Sequence, residues 1–211
     1  KMQLSDRAEQ VLRLFAGLIA QYIQKESLLS QLREANAALI AHSYTDALTG
    51  LPNRRAIFEN LNTLFSLARH LKRHVIITFI DLDDFKCIND RYGHETGDRF
   101  LIEVGKRLTA AQTQDDIIGR LGGDEFMVAC LSVCDIDDEH AQITPLKTRL
   151  SACIAGEYRL DNVHIVYPGA SLGVIAVDPA KTDADSALRA ADIAMYQDKK
   201  GKSKTGFLMM D

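Results

Sequence analysis

The run His74-Val-Ile-Ile-Thr-Phe-Ile-Asp81 constrains the fold more than any other part of this chain. It is almost continuously apolar and rich in β-branched residues, the pattern of a strand buried on both faces. Such a strand needs cover on both sides of its sheet, and the flanking sequence must supply it. The run also stops on a carboxylate, with Asp83 and Asp84 close behind. Acidic groups therefore leave the core at the C-terminal end of a strand, where sheets with helical cover often place ligand sites.

Helical periodicity begins near the N-terminus. Over 7–43 there is no proline and one glycine, Gly17, and a seam with alternating steps of three and four runs through Val11, Phe15, Leu18, Tyr22, Lys25, Leu29, Leu32, Asn36 and Leu39. So narrow a seam is the pattern of a coiled coil, in which polar Lys25 and Asn36 would cost stability but fix register and strand number. We expect residues 1–43 to form a helical stalk that pairs with a second copy. The alternative is a single amphipathic helix packed on its own domain.

Thr49-Gly50-Leu51-Pro52-Asn53 breaks this helix, and Asn53 can cap the next, expected over 54–71. Further helices are predicted over 95–111, 145–156 and 185–199, and strands over 117–121, 125–131, 163–167, 170–177 and 206–210. Gly122-Gly123 reads as a hairpin tip, since glycine supplies the positive φ that tight primed turns require. Pro168-Gly169 connects another two strands, and an acidic loop is expected over 135–140. Mixed strands and helices with hairpins among them imply an α+β domain over 44–211, with a mostly antiparallel sheet, preceded by the stalk.

Composition narrows the partners. Lys and Arg number 25 against 29 Asp and Glu, a net charge of −4, and residues 81–139 alone hold 15 acids and 6 bases. A pI near 5.9 argues against a general nucleic-acid binder, whose footprint would be a basic face. The longest strongly apolar run, 75–80, is too short to span a membrane. Cys87, Cys130, Cys134 and Cys153 are too sparse for a disulfide framework or a zinc cluster, and read as buried free thiols in a reducing cytoplasm. The sequence opens at Lys1 with no secretory or transit signal, so a preceding segment is expected.

The second acidic pair, Asp124-Glu125, lies just past the glycine turn. If strands 75–81 and 125–131 are neighbours, Asp81 and Glu125 converge. Oxygen ligands without His or Cys favour hard cations such as Mg²⁺ or Mn²⁺, which commonly hold substrate phosphates as well. The competing reading is that these aspartates only form turns.

Arg120-Leu-Gly-Gly-Asp-Glu-Phe126 resembles the signature of GGDEF-domain diguanylate cyclases, which condense two GTP into cyclic di-GMP and two pyrophosphates. Its companions make the match specific: Asp46-Ala-Leu-Thr-Gly-Leu-Pro-Asn-Arg54, Phe79-Ile-Asp-Leu-Asp-Asp-Phe-Lys86, Ile88-Asn-Asp90, Tyr92-Gly-His94, Gly97-Asp98, Ser171-Leu-Gly173, Ala191-Asp192 and Ala194-Met-Tyr196. They follow family order over about 44–211.

The resemblance implies roles for individual residues. Asp81, Glu125 and the Leu82 carbonyl match the ligands of Mg²⁺ (or Mn²⁺), two ions per active site, and Asp124 matches a base or positioning group beside the incoming 3′-hydroxyl. Gly122 and Gly123 let the backbone approach the nucleotide. Asn89 and Asp98 match the guanine-reading pair, and a carboxylate suits the guanine ring N–H and amino group. Phe85, Lys86, Lys199 and Lys202 match substrate-contacting positions, although Lys199-Lys200-Gly201-Lys202 is one residue shorter than the family's usual stretch and has Lys202 in place of an Arg, whose bidentate fork Lys cannot reproduce. Many members also carry an inhibitory Arg-x-x-Asp; Asp116 fills its last place but Thr113 stands where the arginine would be, so that product-inhibition site is expected to be absent.

A symmetric cyclisation requires a homodimer, which gives the stalk a purpose. Residues before about 25 resemble the closing helix of a small sensory domain such as GAF, the sensor itself lying outside this chain. The alternatives are a degenerate domain that only binds GTP or cyclic di-GMP, and a structural dimerisation module.

Overall fold

The computed structural model describes residues 6–113, 115–132 and 139–203. The chain divides into two compact units, Lys1–Ser43 and Tyr44–Asp211.

Helix α1 (Asp6–Tyr44) supplies the first unit. It exposes Val11, Phe15, Leu18, Tyr22 and Leu32 of the expected seam. Leu12, Leu14, Ile19, Ile23 and Leu28 are exposed as well, so the apolar surface is wider than one seam, especially over its first half. The side chains of Asn36 and Leu39 lie outside the described residues.

The second unit opens on the turn after Tyr44, closed by a bridge between Thr45 and Pro52. Asn53 then caps α2 (Arg54–Leu71), its side chain accepting from the amides of Arg55 and Ala56. Ala56, Ile57, Leu61, Leu64, Phe65 and Ala68 recur at helical spacing and are the buried face of α2. Strand β1 (Val75–Leu82) is buried at seven of its eight residues; only Asp81 is half-buried. The short α3 (Phe85–Tyr92) and α4 (His94–Ala110) follow, and then β2 (Ile117–Gly122) and β3 (Glu125–Leu131). α5 (Glu139–Ile154), β4 (Gly156–Leu160), β5 (Val163–Tyr167), β6 (Ala170–Val177) and α6 (Ala184–Ser203) complete the described chain.

The central sheet is antiparallel throughout, in the order β2-β3-β1-β6. The fold is thus α+β, with β1 interior and therefore apolar on both faces. Ile76, Ile80 and Leu82 join Phe100, Val104, Leu108, Leu150, Tyr158 and Tyr167 in a core with α4 and α5. Val75, Ile77 and Phe79 face the other way, onto Ile57, Leu61 and Phe65 of α2 and Ala187, Ala191 and Met195 of α6. Asp81 belongs to this second face by the period of two along a strand.

Several expectations need correction. α3 lies where the sequence pattern predicts no helix, because its eight residues include only one that is fully buried, Ile88. β4 is likewise an unexpected strand, and β5 pairs with it in a separate two-stranded sheet. α5 begins at Glu139, not near Pro145, which sits inside the helix. The expected acidic loop therefore gives way to helix at Glu139 and His140, while its residues 135–138 and the strand over 206–210 lie outside the described residues. Cys87 is exposed on α3, against the expectation of burial; Cys130 and Cys153 are half-buried, and Cys134 lies outside the described residues.

Candidate active site

The register of the sheet brings the acids together. Asp81 pairs directly with Glu125 of β3 and, on its other side, with Ser171 of β6. Paired residues of an antiparallel ladder project to the same face, so both carboxylates point toward α2 and α6. Gly122 and Gly123 take φ of 143° and 53°, and so allow β2 to turn into β3 within two residues. The turn leaves Asp124 beside the end of β1, where its main-chain carbonyl accepts from the Leu82 amide at 3.2 Å. In an extended strand a residue's N–H and C=O point to the same side, so the Leu82 carbonyl also faces the hairpin.

The hairpin is braced from behind. Buried Arg120 donates twice to the Gly123 carbonyl, at 3.0 and 2.7 Å, and once to Asp46 Oδ1 at 2.8 Å. Asp46 also accepts from the Thr49 amide and hydroxyl. Burial alone would raise the Asp46 carboxyl, but the bonds from Thr49 and Arg120 outweigh it and hold the group below the usual carboxylate range.

The site acids behave oppositely. Burial raises the Asp81 carboxyl, and Asp124 and Asp83 add to this against the opposing influence of Lys199. Burial likewise raises Glu125, helped by Asp81 and opposed by Arg54. Lys199 Nζ lies 2.6 Å from Asp81 Oδ1; burial disfavours its charge, yet Asp81 prevails and its pKa rises. α6 reaches this point because Gly173 has no side chain: a Cβ there would stand 2.1 Å from the Ala191 carbonyl oxygen and 2.2 Å from the Met195 amide.

Among the described residues no group of three or more His, Cys, Asp or Glu is arranged to hold a metal. Two carboxylates are nevertheless adjacent and mutually repelling, and the hairpin-facing Leu82 carbonyl offers a third oxygen. An all-oxygen donor set with surplus negative charge fits a hard divalent cation.

A second cluster forms on α3 and α4. Gly97 is buried against Asn89, whose Oδ1 lies 1.9 Å from the position a Cβ at 97 would occupy, and Asp98 stands exposed on the next position. Phe85, half-buried, stacks toward Phe100 with centroids 6.1 Å apart, and Lys86 is exposed on the first turn of α3. Lys202, expected at the substrate, donates to Asp83 at 3.0 Å and to the Ala170 carbonyl at 2.6 Å.

Asp83, Ser171, Asp198, Arg54 and Asp192 carry no assigned role in the sequence pattern, yet the fold gathers them around the site. Arg54 and Asp192 act electrostatically on Glu125, from the start of α2 and from α6. The spacing of Asp198 and Lys202, one helical turn apart, is a signal available in the sequence.

The family model described as the diguanylate cyclase GGDEF domain matches residues 43–205. The chain belongs to the GGDEF family. The chain is 66% identical over 208 residues to the diguanylate cyclase DgcP of Escherichia coli K12, a match covering 99% of this chain and 60% of DgcP. The chain thus spans less than two thirds of that relative. A solved sensory box/GGDEF family protein from Caulobacter crescentus CB15 has 32% identity and a TM-score of 0.69, over 75% of this chain and 99% of that one. The coiled coil and GGDEF domain of DgcB from Caulobacter crescentus, solved with c-di-GMP, shares the fold at 23% identity and a TM-score of 0.76, over 87% and 95% of the two chains. Among the described residues no helix is long and apolar enough to cross a membrane.

Proposed function

We propose that this GGDEF domain is a diguanylate cyclase that condenses two GTP into cyclic di-GMP and two pyrophosphates across a homodimer. The observation that carries the reading is the Asp81–Glu125 pair, with Asp124 on the adjoining turn and Lys199 on Asp81. Two adjacent carboxylates repel each other, and a divalent cation bound between them would relieve that repulsion.

Asp81, Glu125 and the Leu82 carbonyl would hold Mg²⁺ or Mn²⁺, two ions per site. Bound there, the metal supplies charge neutralisation on the phosphates and polarisation at the α-phosphorus. The chain's own groups do the rest. Asn89 and Asp98 read the guanine edge; adenine would leave Asp98 facing a lone pair, and a polar group left unmet once the base covers it discriminates strongly. Lys86 and Lys199 meet the triphosphate. Gly122 and Gly123 give the nucleotide backbone-close access to the hairpin, and Asp124 positions the incoming 3′-hydroxyl or takes its proton. The oxygen of that hydroxyl forms a bond to the partner nucleotide's α-phosphorus as the α–β bridging bond breaks, and pyrophosphate leaves with that electron pair. The same exchange in the opposite sense closes the ring.

Each domain offers one such site, so the reacting pair must meet between two domains. The exposed apolar side chains of α1 support a stalk that raises their effective concentration. A chain truncated to start at Tyr44 should lose specific activity steeply on dilution; activity independent of concentration would contradict this. At the expected inhibitory position Thr113 stands three residues before Asp116 where the arginine would be, and this residue supports the reading that the Arg-x-x-Asp site is absent. Submicromolar, noncompetitive cyclic di-GMP binding near Asp116 in calorimetry would refute that absence.

The reading is tested by incubating the purified chain with GTP and Mg²⁺ and resolving the products by chromatography. Cyclic di-GMP and pyrophosphate are expected, and unchanged GTP with a folded dimer would overturn it.

A further inference from the structure

Asp83 follows the Leu82 carbonyl directly, precedes the turn into α3, and is held from three sides. Its Oδ1 accepts from Ser171 Oγ at 2.6 Å and its Oδ2 from Lys202 Nζ at 3.0 Å. Its main-chain carbonyl accepts from the Tyr167 hydroxyl at 2.8 Å. The donors come from the end of β5, the start of β6 and the last turn of α6, between 84 and 119 residues away in the chain. The next residue, Asp84, has φ of 55°, a left-handed conformation that costs an L-residue energy. Long-range contacts therefore impose the shape of this turn.

Lys202 is committed within the protein. Besides Asp83 it donates to the Ala170 carbonyl at 2.6 Å and lies 3.6 Å from Asp198 Oδ2. Two of the three ammonium donors are thus used in hydrogen bonds, and Asp198 adds an ion pair. Asp198 in turn accepts from the Leu172 amide at 3.1 Å and from Lys147 at 2.6 Å. The end of α6 is thereby fastened to β6 at Ala170 and Leu172, with the charge of Lys202 delivered onto Asp83. Lys199, one turn earlier, reaches a different carboxylate, Asp81. The two lysines do different work.

The geometry points to Asp83 as a positioning residue, clamped by Lys202 and Ser171, that fixes the Leu82 carbonyl and the first turn of α3 against Asp81 and Glu125. Lys202 serves that clamp instead of the triphosphate. The purpose of the clamp rests on the cyclase reading; its existence does not. A carboxylate stripped of its partners becomes an uncompensated charge and moves. A displacement of about 1 Å beside a reacting centre can cost about a hundredfold in rate.

The test uses the whole chain with Asp83→Asn, Lys202→Met, Ser171→Ala, Lys202→Arg and the Asp83→Asn/Lys202→Met double variant. In urea unfolding the double variant should be less destabilised than the two single effects added, since residues in one network couple. Ser171→Ala removes a single bond and serves where a charge variant folds poorly. Binding of Mn²⁺ alone, read from the electron paramagnetic resonance of the free ion, should weaken about tenfold in Asp83→Asn and Lys202→Met and about threefold in Ser171→Ala. In turnover, Lys202→Met should lower kcat about tenfold while GTP KM at saturating Mg²⁺ stays within about twofold, and Lys202→Arg should recover most of the loss. Additive unfolding effects would overturn the clamp. Unchanged Mn²⁺ affinity in Asp83→Asn, or a tenfold rise in GTP KM in Lys202→Met, would overturn the positioning role. Glu125→Gln with wild-type Mn²⁺ affinity would instead defeat the cyclase reading of the carboxylates, while the unfolding cycle tests the clamp independently.

Discussion

Replacing Gly173 by alanine tests how the sheet and α6 together build the site. The new Cβ would fall 2.1 Å from the Ala191 carbonyl oxygen and 2.2 Å from the Met195 amide, both backbone atoms that no rotamer change can move aside. Ordinary contact begins near 3.4 Å, so α6 must lift from β6 by roughly 1.3 Å at Ala191 and roughly 1.2 Å at Met195. Lys199 lies one turn beyond, and its 2.6 Å contact with Asp81 would open, as would the 3.1 Å bond from the Leu172 amide to Asp198. Overpacking of this kind costs about 1–3 kcal/mol. For a domain of this size that corresponds to a fall in Tm of roughly 2–12 °C. A shift of about 1 Å at the reacting groups predicts a rate loss of about a hundredfold. Gly201→Ala is the control: it lies on the same helix, its Cβ would meet nothing within 4 Å, and it should hold or raise the Tm. The assays are thermal unfolding and chromatographic measurement of product. Wild-type stability and turnover in Gly173→Ala would refute the reasoning.

Two further outcomes follow from the same packing. Gly97→Ala would press on Asn89 Oδ1, the movable end of a side chain, so the Tm should hold or rise while kcat/KM for GTP falls about tenfold; an unchanged kcat/KM would contradict it. Asp46→Asn removes a charged partner of buried Arg120 and should cost about 1–3 kcal/mol at neutral pH. Because the folded pKa of Asp46 is depressed, its stabilisation is present above the unfolded value of about 4 and is lost as pH falls through the folded one. The gap between variant and wild type in urea midpoints should therefore close on acidification, and a gap constant between neutral and strongly acid pH would contradict the assignment.

The residues that make the site legible in the sequence are those with strong local signals. The apolar run 74–81 marks β1, the Gly122-Gly123 pair marks the hairpin, and their neighbourhood puts Asp81 opposite Glu125. What stays hidden depends on contacts distant in sequence or on elements too short to show a period. β4 alternates Tyr158 and Leu160 inward with Glu157 and Arg159 outward over only five residues, directly behind a helix. α3 buries a single side chain fully. Pro145 reads locally as a helix start, a position proline favours, although the helix runs through it. Lys202 occupies a family position, but its bond to Asp83 spans 119 residues and is visible only in the folded chain.

The central claim is that Asp81 and Glu125 form the oxygen site on which cyclisation depends, and Glu125→Gln tests it most directly. Burial and Asp81 raise the Glu125 carboxyl, so the folded state disfavours its charge and loses stability as pH rises through the carboxylate range. At neutral pH an uncharged Gln should therefore leave the metal-free Tm equal to or above wild type, which rules out misfolding as the cause of any loss. Turnover of GTP to cyclic di-GMP with Mg²⁺, measured side by side, should be abolished in this well-folded variant. Turnover at the wild-type rate would contradict the claim.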